Sequence, residues 1–178
     1  MKTRIINVQE LNAKHKSCVL AYGHFTTIHP GHIRYLNYAK KNGKKLVVAL
    51  LPDKQIKGVN KYSFSQKERA EALSLLSIAD YIILMENENL EEVIQILLPS
   101  FVVLGKEYEN SKNQEILNAI KRQLSNNAKV EFHAGEINYA SADLLISSES
   151  ELSQQRKNLF LKKCQKENIN TEKLMASM

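Results

Sequence analysis

From residue 18 the chain reads Cys-Val-Leu-Ala-Tyr-Gly, and from residue 29 it reads His-Pro-Gly-His. The first stretch is a short apolar run that ends in glycine, which predicts a buried strand over 18–22. The second opens an amphipathic helix, and Pro30 suits its first position because a helix leaves that N–H unpaired in any case. The free N–H groups and the positive dipole end of a helix attract anions. The junction therefore predicts a phosphate site that His29 and His32 both face.

Outward from this junction, short apolar runs alternate with segments of helical period, as in a parallel sheet with crossover helices. We predict an α/β, Rossmann-like, doubly wound fold of five parallel strands, with a short leading helix and a C-terminal helical extension. The strands are predicted over 18–22, 45–51, 80–84, 101–104 and 129–133. The helices are predicted around Val8–His15, from Pro30 to about Asn42, from the Ser65 capping box through Leu76, over Leu90–Leu98 and over roughly 111–125.

Three candidate motifs follow predicted strands directly. Gly23 follows the first strand, a polar loop follows Leu51 at the end of the second, and Gly105 follows the fourth. Ligands of open parallel sheets bind beyond the carboxyl ends of the strands. We therefore expect all three motifs to meet at one edge of the sheet.

Five segments, in order along the chain, resemble one known family. They are Gly23–Leu36, Gln55–Gly58, Gln66–Leu73, Val102–Tyr108 and Asn138–Leu145. They are similar to the opening signature, lysine loop, Glu-Arg helix, glycine turn and Ser/Thr-rich helix start of the cytidylyltransferase-like nucleotidyltransferases. That family includes glycerol-3-phosphate cytidylyltransferase and the adenylyltransferase domain of the bacterial heptose-phosphate enzymes. The resemblance spans roughly residues 17 to 147.

The resemblance implies a reaction in which a phosphorylated sugar or polyol attacks the α-phosphorus of CTP or ATP, releasing pyrophosphate and forming an NDP-sugar or NDP-alcohol. It also implies a role in cell-surface polysaccharide biosynthesis, and Mg²⁺ that arrives with the nucleotide and has few protein ligands. His29 and His32 would donate to the α- and β-phosphate oxygens, and Lys57 would bridge the donor and acceptor phosphates. The implied nucleotide-binding residues are Gly23, His24, Phe25, Gly31, Arg69, Gly105 and Ser141.

The chain differs from the family pattern at two places. Thr26 stands where the family usually has Asp, and Ala140–Ala142 holds one hydroxyl where the family has a Ser/Thr run. These differences favour an alternative function, a nucleotide-binding domain without turnover that serves regulation or assembly. A class I aminoacyl-tRNA synthetase shares the His-x-Gly-His start, but this chain is too short and has no Lys-Met-Ser-Lys-Ser-like loop. The sequence leaves open the choice between CTP and ATP and the identity of the acceptor.

The imidazoles also have interpretations without a phosphate. One of His29 and His32 could cap the helix while the other is solvated, and His24 could be a strand-end residue instead of a third phosphate contact. These three imidazoles lie within nine residues, but no Cys or carboxylate accompanies them and a helix N-terminus disfavours cations, so zinc is not expected. His15 and His133 are predicted to be surface or strand-edge residues.

The other candidate residues have similar alternatives. Lys57 could belong to a solvated charged loop, since other lysines are nearby. Arg69 could form a surface ion pair with Glu68 or Glu71 instead of directing its guanidinium at phosphate oxygens. Ser141 could cap a helix without contacting a ligand.

Composition is that of a globular protein, with 178 residues, 43% hydrophobic and 25% charged. No apolar run approaches the roughly 20 residues that span a bilayer, so we expect no membrane partner. Two lone thiols, Cys18 and Cys164, favour a reducing cytoplasmic setting.

The net charge is +6. Half of this excess lies in 151–178 with no basic stripe interleaved with aromatics, so no nucleic-acid partner is expected; a homodimer is left open.

We predict a nucleotidyltransferase domain over 1–147 and a C-terminal helix and tail over 148–178. The polar break at Ser147–Ser150 and the amphipathic segment after it resemble the connector of longer proteins in which such a domain precedes a sugar kinase. Our hypothesis is that the chain is the amino-terminal part of a bifunctional protein.

Overall fold

Six short strands form one parallel sheet in the computed structural model, which describes residues 2–55 and 64–133. The strands are β1 (Arg4–Asn7), β2 (Val19–Gly23), β3 (Leu46–Leu50), β4 (Tyr81–Leu84), β5 (Phe101–Gly105) and β6 (Lys129–His133). Their order across the sheet is β1-β4-β3-β2-β5-β6, and every neighbouring pair is parallel. β3 lies near the centre with all five residues fully buried, as expected of a strand covered on both faces.

Helices follow four of the strands and cover both faces of the sheet. They are α1 (Pro30–Lys41), α2 (Gln66–Leu75), α3 (Leu90–Leu97) and α4 (Gln114–Ser125). The apolar sides of α1 and α2 pack into one hydrophobic cluster, and those of α3 and α4 pack into a second cluster on the opposite face. The predicted doubly wound α/β fold is therefore confirmed.

The five predicted strands correspond to β2–β6, but the prediction of a leading helix around Val8–His15 is wrong. Residues 4–7 form the sixth strand, β1, and two short 3-10 turns follow it at Val8–Glu10 and Ala13–His15. β1 is an edge strand of four residues, and Ile5 on it is 42% exposed. Such a short and mostly exposed strand has neither the apolar run nor the alternation of residues from which a strand is predicted. The predicted C-terminal extension lies outside the described residues.

The helix starts follow the capping signals of the sequence. The Ser65 side chain accepts from the N–H of Glu68, whose carboxylate accepts from the Ser65 N–H at 2.8 Å. Asn89 and Glu92 make the same reciprocal pair at the start of α3. Leu98 ends that helix in the left-handed region with φ 45°, before Pro99. Both predicted caps are therefore confirmed.

The strand order reverses at β2. From β2 the chain adds β3 and β4 on one side of it, and then crosses to the other side to add β5 and β6. The pairing of β2 with β3 continues to Gly23 opposite Leu50, but its pairing with β5 stops at Ala21 opposite Val103. Beyond that point β2 and β5 are no longer paired, and the strand order reverses between these two strands. Such a switch point is where open α/β sheets bind ligands. Gly23 and Gly105 lie on this edge, as predicted.

Two residues outside this edge also bear on the sequence analysis. The prediction that His15 lies at the surface or a strand edge is wrong: it is 1% exposed, its ring packs edge-on to Tyr81, and its Nδ1 accepts from the N–H of Asn12. Cys18 is a buried free thiol, and burial raises its pKa to about 12. In the described part of the chain, no helix is both long enough and apolar enough to cross a membrane.

Candidate functional site

The loop between β2 and α1 has a close-packed start. A Cβ on Gly23 would lie 3.1 Å from the Phe25 ring, so the absence of a side chain lets that ring fold back over the strand end. Phe25 itself is buried with φ 49°, a left-handed conformation that costs energy in a residue other than glycine. Its ring packs against His32, with ring centroids 4.9 Å apart. Phe25 therefore supports an imidazole of the site.

His29 is the N-cap of α1 through its Nδ1 atom, and its Nε2 atom takes no part in the cap. Its Nδ1 accepts from the N–H of Gly31 at 3.1 Å, and Pro30 takes the first helical position. Burial, and then the charge of Arg34, lower the pKa of His29, so the imidazole is neutral near pH 7. Because Nδ1 accepts, the proton of the neutral ring resides on Nε2. His29 can thus cap the helix and donate to a ligand at the same time.

His32 stacks on His29, with ring centroids 4.0 Å apart and planes 29° from parallel. Burial, and then the electrostatic effect of His29, lower the pKa of His32 to about 4. A hydrogen bond with the Thr27 backbone opposes this shift. Both imidazoles are therefore neutral at physiological pH. Two neutral rings lie side by side at the positive end of a helix dipole, where an anion is favoured.

Arg69 connects the loops that follow β2 and β3. Its buried guanidinium donates to the carbonyl oxygen of His24, to that of Leu51 at 2.8 Å and to Asp53 Oδ1 at 2.7 Å. The alternative partners, Glu68 and Glu71, form no ion pair with it in the described residues. The observed contacts are with the protein itself, and binding of the triphosphate by Arg69 stays a prediction.

Tyr35 bridges β2 and β5 where their pairing ends, a role that the sequence analysis missed. Its hydroxyl donates to the carbonyl oxygen of Val103 at 2.6 Å and accepts from the N–H of Tyr22 at 3.1 Å. These backbone groups lie just past the last β2–β5 pair. In the sequence, Tyr35 is one more apolar position of α1; the only signal was a hydroxyl on the buried face of a helix, which requires a partner.

Gly105 ends β5 and is followed by a 3-10 turn over Lys106–Tyr108. The carboxylate of Glu107, at the flexible end of its side chain, occupies the place where a side chain at position 105 would stand. Lys106 pairs with Glu109 at 2.7 Å. The glycine turn thus brings an acidic group to the edge that also holds Gly23.

Several buried nitrogen atoms with no hydrogen-bond partner in the described residues belong to the β2–α1 loop, to α1 and to Arg69 on α2. Leaving a buried donor unpaired costs about 1–3 kcal/mol, so native proteins seldom keep several together without a purpose. Burial and the charge of Arg69 lower the pKa of His24, which is therefore another neutral imidazole. These atoms suit a ligand with several acceptor oxygens, and they are His24 Nδ1, His32 Nδ1, Arg34 Nε and Nη2, and Arg69 Nε.

Other parts of the structure bear less on this site. Lys57 and Ser141 lie outside the described residues, so their predicted roles stay predictions. A cavity of about 580 Å³ lies beside β1 at the amino ends of β1 and β4, with Arg4, His15 and Tyr81 among its lining residues. It shares no residue with the α1 site. No group of three or more His, Cys, Asp or Glu side chains in the described residues is placed to hold a metal ion.

Comparison with known proteins agrees with this geometry. A family model described as cytidylyltransferase-like matches residues 20–171. The chain belongs to the cytidylyltransferase-like family. This membership confirms the resemblance inferred from the motifs and makes the chain a nucleotidyltransferase-family domain.

Two curated relatives and one solved structure illustrate the likeness. Bifunctional protein HldE of Campylobacter fetus subsp. fetus is 35% identical over 115 residues, which cover 61% of this chain and 25% of that protein. The HldE protein of Helicobacter pylori strain G27 is 34% identical over 108 residues, covering 59% and 23%. The chain thus spans about a quarter of the length of these relatives. A pantothenate synthetase structure from Thermus thermophilus has a TM-score of 0.58 and 14% identity, covers 93% of this chain and 77% of that chain, and shares the fold.

Proposed function

We propose that this domain transfers a nucleotidyl group from CTP or ATP to a phosphorylated sugar or polyol. A phosphate oxygen of the acceptor forms a bond to the α-phosphorus, the bond from the α-phosphorus to the bridging oxygen breaks, and pyrophosphate leaves. The observation that carries this proposal is the stacked pair His29 and His32 at the start of α1, at the carboxyl edge of the sheet. No nucleophile from the protein is required, because the acceptor supplies its own.

The imidazoles act in this proposal as hydrogen-bond donors and not as proton carriers. Both are neutral in the unliganded protein because burial lowers their pKa. Nε2–H of His29 donates to one phosphate oxygen, and His32 donates to a neighbouring one. Donors that are already oriented stabilise the negative charge that builds up on the transferring phosphate, which is the main task in phosphoryl-type transfer.

The remaining predicted residues complete the site as part of the same proposal. Lys57 bridges the donor and acceptor phosphates, where a flexible ammonium can follow the group in transit. Ser141 and the N–H groups after it hold the triphosphate tail. Arg69 acts there directly or by holding the two loops that its guanidinium connects.

Mg²⁺ fits this site as an ion held mainly by the nucleotide. The side chains around α1 are imidazoles and N–H donors, which suit phosphate oxygens, and the Asp53 carboxylate already accepts from Arg69 and from the N–H of Gln66 at 3.1 Å. When bound, the ion supplies charge neutralisation on the phosphates.

The second candidate function is nucleotide binding without turnover. Thr26 stands where the family usually has Asp, and its uncharged hydroxyl does not supply the anionic group that an Asp would add to the site. The single hydroxyl of Ala140–Ala142 favours the same alternative. In that case the fold and the anion site persist while the chemical step is absent.

Pyrophosphate release separates the two functions. The full chain is incubated with Mg²⁺, with CTP or ATP, and with a panel of sugar and polyol phosphates, and nucleotide binding is followed in parallel by thermal shift. Release that depends on both a nucleotide and one acceptor class supports the transferase. Nucleotide binding with no release from any pair would establish the silent domain instead.

A further inference from the structure

Arg34 carries a guanidinium that the described residues leave without acceptors. Its Nε and Nη2 atoms are buried and have no hydrogen-bond partner. None of the ion pairs within the described residues includes Arg34. Removing a cation from water without a compensating anion is unfavourable. Within the described residues this cation therefore has no compensating anion, and a bound anion is a candidate partner for it.

The two unpaired atoms define the shape of that anion. Nε and Nη2 lie on one edge of the guanidinium plane, and their N–H bonds run parallel. This edge matches two oxygens of a single phosphate or carboxylate group, and such bidentate pairs are stronger than single neutral hydrogen bonds. A lysine at the same position would supply charge without this geometry.

The position of Arg34 on α1 places the guanidinium toward the candidate site. Long helical side chains lean back over the preceding turn, which here is the turn of Pro30 and Gly31 at the start of α1. The charge of Arg34 reaches His29, whose pKa it helps to lower. One turn further along α1, Tyr38 donates a hydrogen bond to Glu131 and stacks on His133. Arg34 therefore lies on the flank of α1 that faces the carboxyl end of β6.

We infer that Arg34 binds a phosphate group of one of the two substrates through its Nε and Nη2 atoms. This inference rests on the proposed function, because that reaction brings two phosphate-bearing molecules to the start of α1. The arginine side chain is flexible, so the guanidinium can turn toward a ligand without a backbone shift. The phosphate belongs either to the nucleotide or to the acceptor, and kinetics distinguish these sources.

Stability separates this role from a structural one. If Arg34 supported the fold, its removal would lower the unfolding free energy of the unliganded protein. Removal of an unpaired and partly buried charge instead leaves that free energy unchanged or raises it. Arg34→Met keeps much of the apolar part of the side chain and removes the guanidinium, whereas Arg34→Lys keeps the positive charge without the paired N–H donors.

The experiment measures the melting temperature without ligand, and the KM for the nucleotide and for the acceptor, in both variants. Arg34→Met should melt no lower than the wild type and should raise the KM of one substrate by about 10- to 100-fold. Arg34→Lys should recover only part of that loss. Arg122→Met is the matched control, because Arg122 pairs with Glu91 on the far helices and should leave both KM values unchanged.

A rise in the nucleotide KM shows that Arg34 binds a phosphate of the nucleotide, and a rise in the acceptor KM shows that it binds the acceptor phosphate. Either result supports the inference. Unchanged KM values in Arg34→Met, with turnover intact in the wild type, would overturn the inference and leave the proposed function standing. A lower melting temperature with unchanged KM values would show a structural role. A wild type that neither binds CTP or ATP nor releases pyrophosphate would remove the proposed function, and this inference would fall with it.

Discussion

At the scale of single residues, the site is built from imidazoles that burial keeps neutral. The spacing of His29 and His32 is visible in the sequence, and it correctly predicted a pair at the start of a helix. Their stacking and lowered pKa values depend on Phe25 and on the fold around them. The sequence alone could not supply these, because they arise from packing.

His32 links folding stability to pH. Its pKa is about 4 in the folded chain, against an ordinary value of 6.5. Between these values the unfolded chain binds a proton that the folded chain does not, so the unfolding free energy should fall as the pH drops through this window. The contribution of one such residue is at most about 1.4 kcal/mol per pH unit. Urea denaturation at several pH values should show a shallower fall for His32→Gln than for the wild type; equal slopes would mean that His32 titrates normally.

Arg69 shows what residue-level reading of a sequence misses. A Glu-Arg pattern on a helix suggested phosphate or a neighbouring Glu as its partner, but the partners observed are His24, Leu51 and Asp53, which are distant in sequence. Only the adjacency of β2 and β3 brings these groups together. Long-range contacts of this kind leave no local pattern.

Because of these contacts, Arg69→Met should destabilise the unliganded protein by about 3 kcal/mol, since two carbonyl oxygens and a carboxylate lose their donor. Denaturant titration measures the loss, and Arg122→Met serves as a surface control expected to change stability by about 0.5 kcal/mol or less. A loss as small as the control, together with weaker nucleotide binding, would assign Arg69 to the ligand instead of the fold.

At the scale of secondary structure, periodicity and caps located α1–α4 and the five strands β2–β6. The same signals missed β1, because four residues at an exposed edge carry too little pattern. They also missed the end of the β2–β5 pairing at Ala21 and Val103, next to the start of the α1 site. Strand order is a property of the sheet and is absent from any single segment.

The Tyr35 hydroxyl bridges β2 and β5 where their pairing ends. Tyr35→Phe should therefore lower the unfolding free energy markedly, although it removes a single oxygen atom. Loss of the hydroxyl leaves the Tyr22 N–H without an acceptor and the Val103 carbonyl without a donor in a fully buried position. We expect a loss of about 1–3 kcal/mol in the unfolding free energy, measured by urea denaturation. Tyr38→Phe, which removes an exposed hydroxyl, is the control. Equal effects of the two changes would argue against a special role for Tyr35.

At the scale of the whole molecule, the sheet order predicts how stability is distributed. β3 is fully buried between two neighbours, whereas β1 is a short edge strand. Native-state hydrogen exchange should therefore be slowest for the amides of β3 and fastest, among the strands, for those of β1. Protection of β1 equal to that of β3 would show that its outer edge is covered in solution.

The central claim is that the start of α1 supports transfer of a nucleotidyl group. The most direct test follows a label at the α-phosphorus of CTP or ATP in the presence of a sugar or polyol phosphate. The label should move to the acceptor product in the wild type, and His32→Ala should slow this transfer by roughly 10²–10³-fold, the size of losing one donor to developing charge. Label that stays in the nucleotide with every acceptor, or a His32→Ala change under about threefold, would contradict the account.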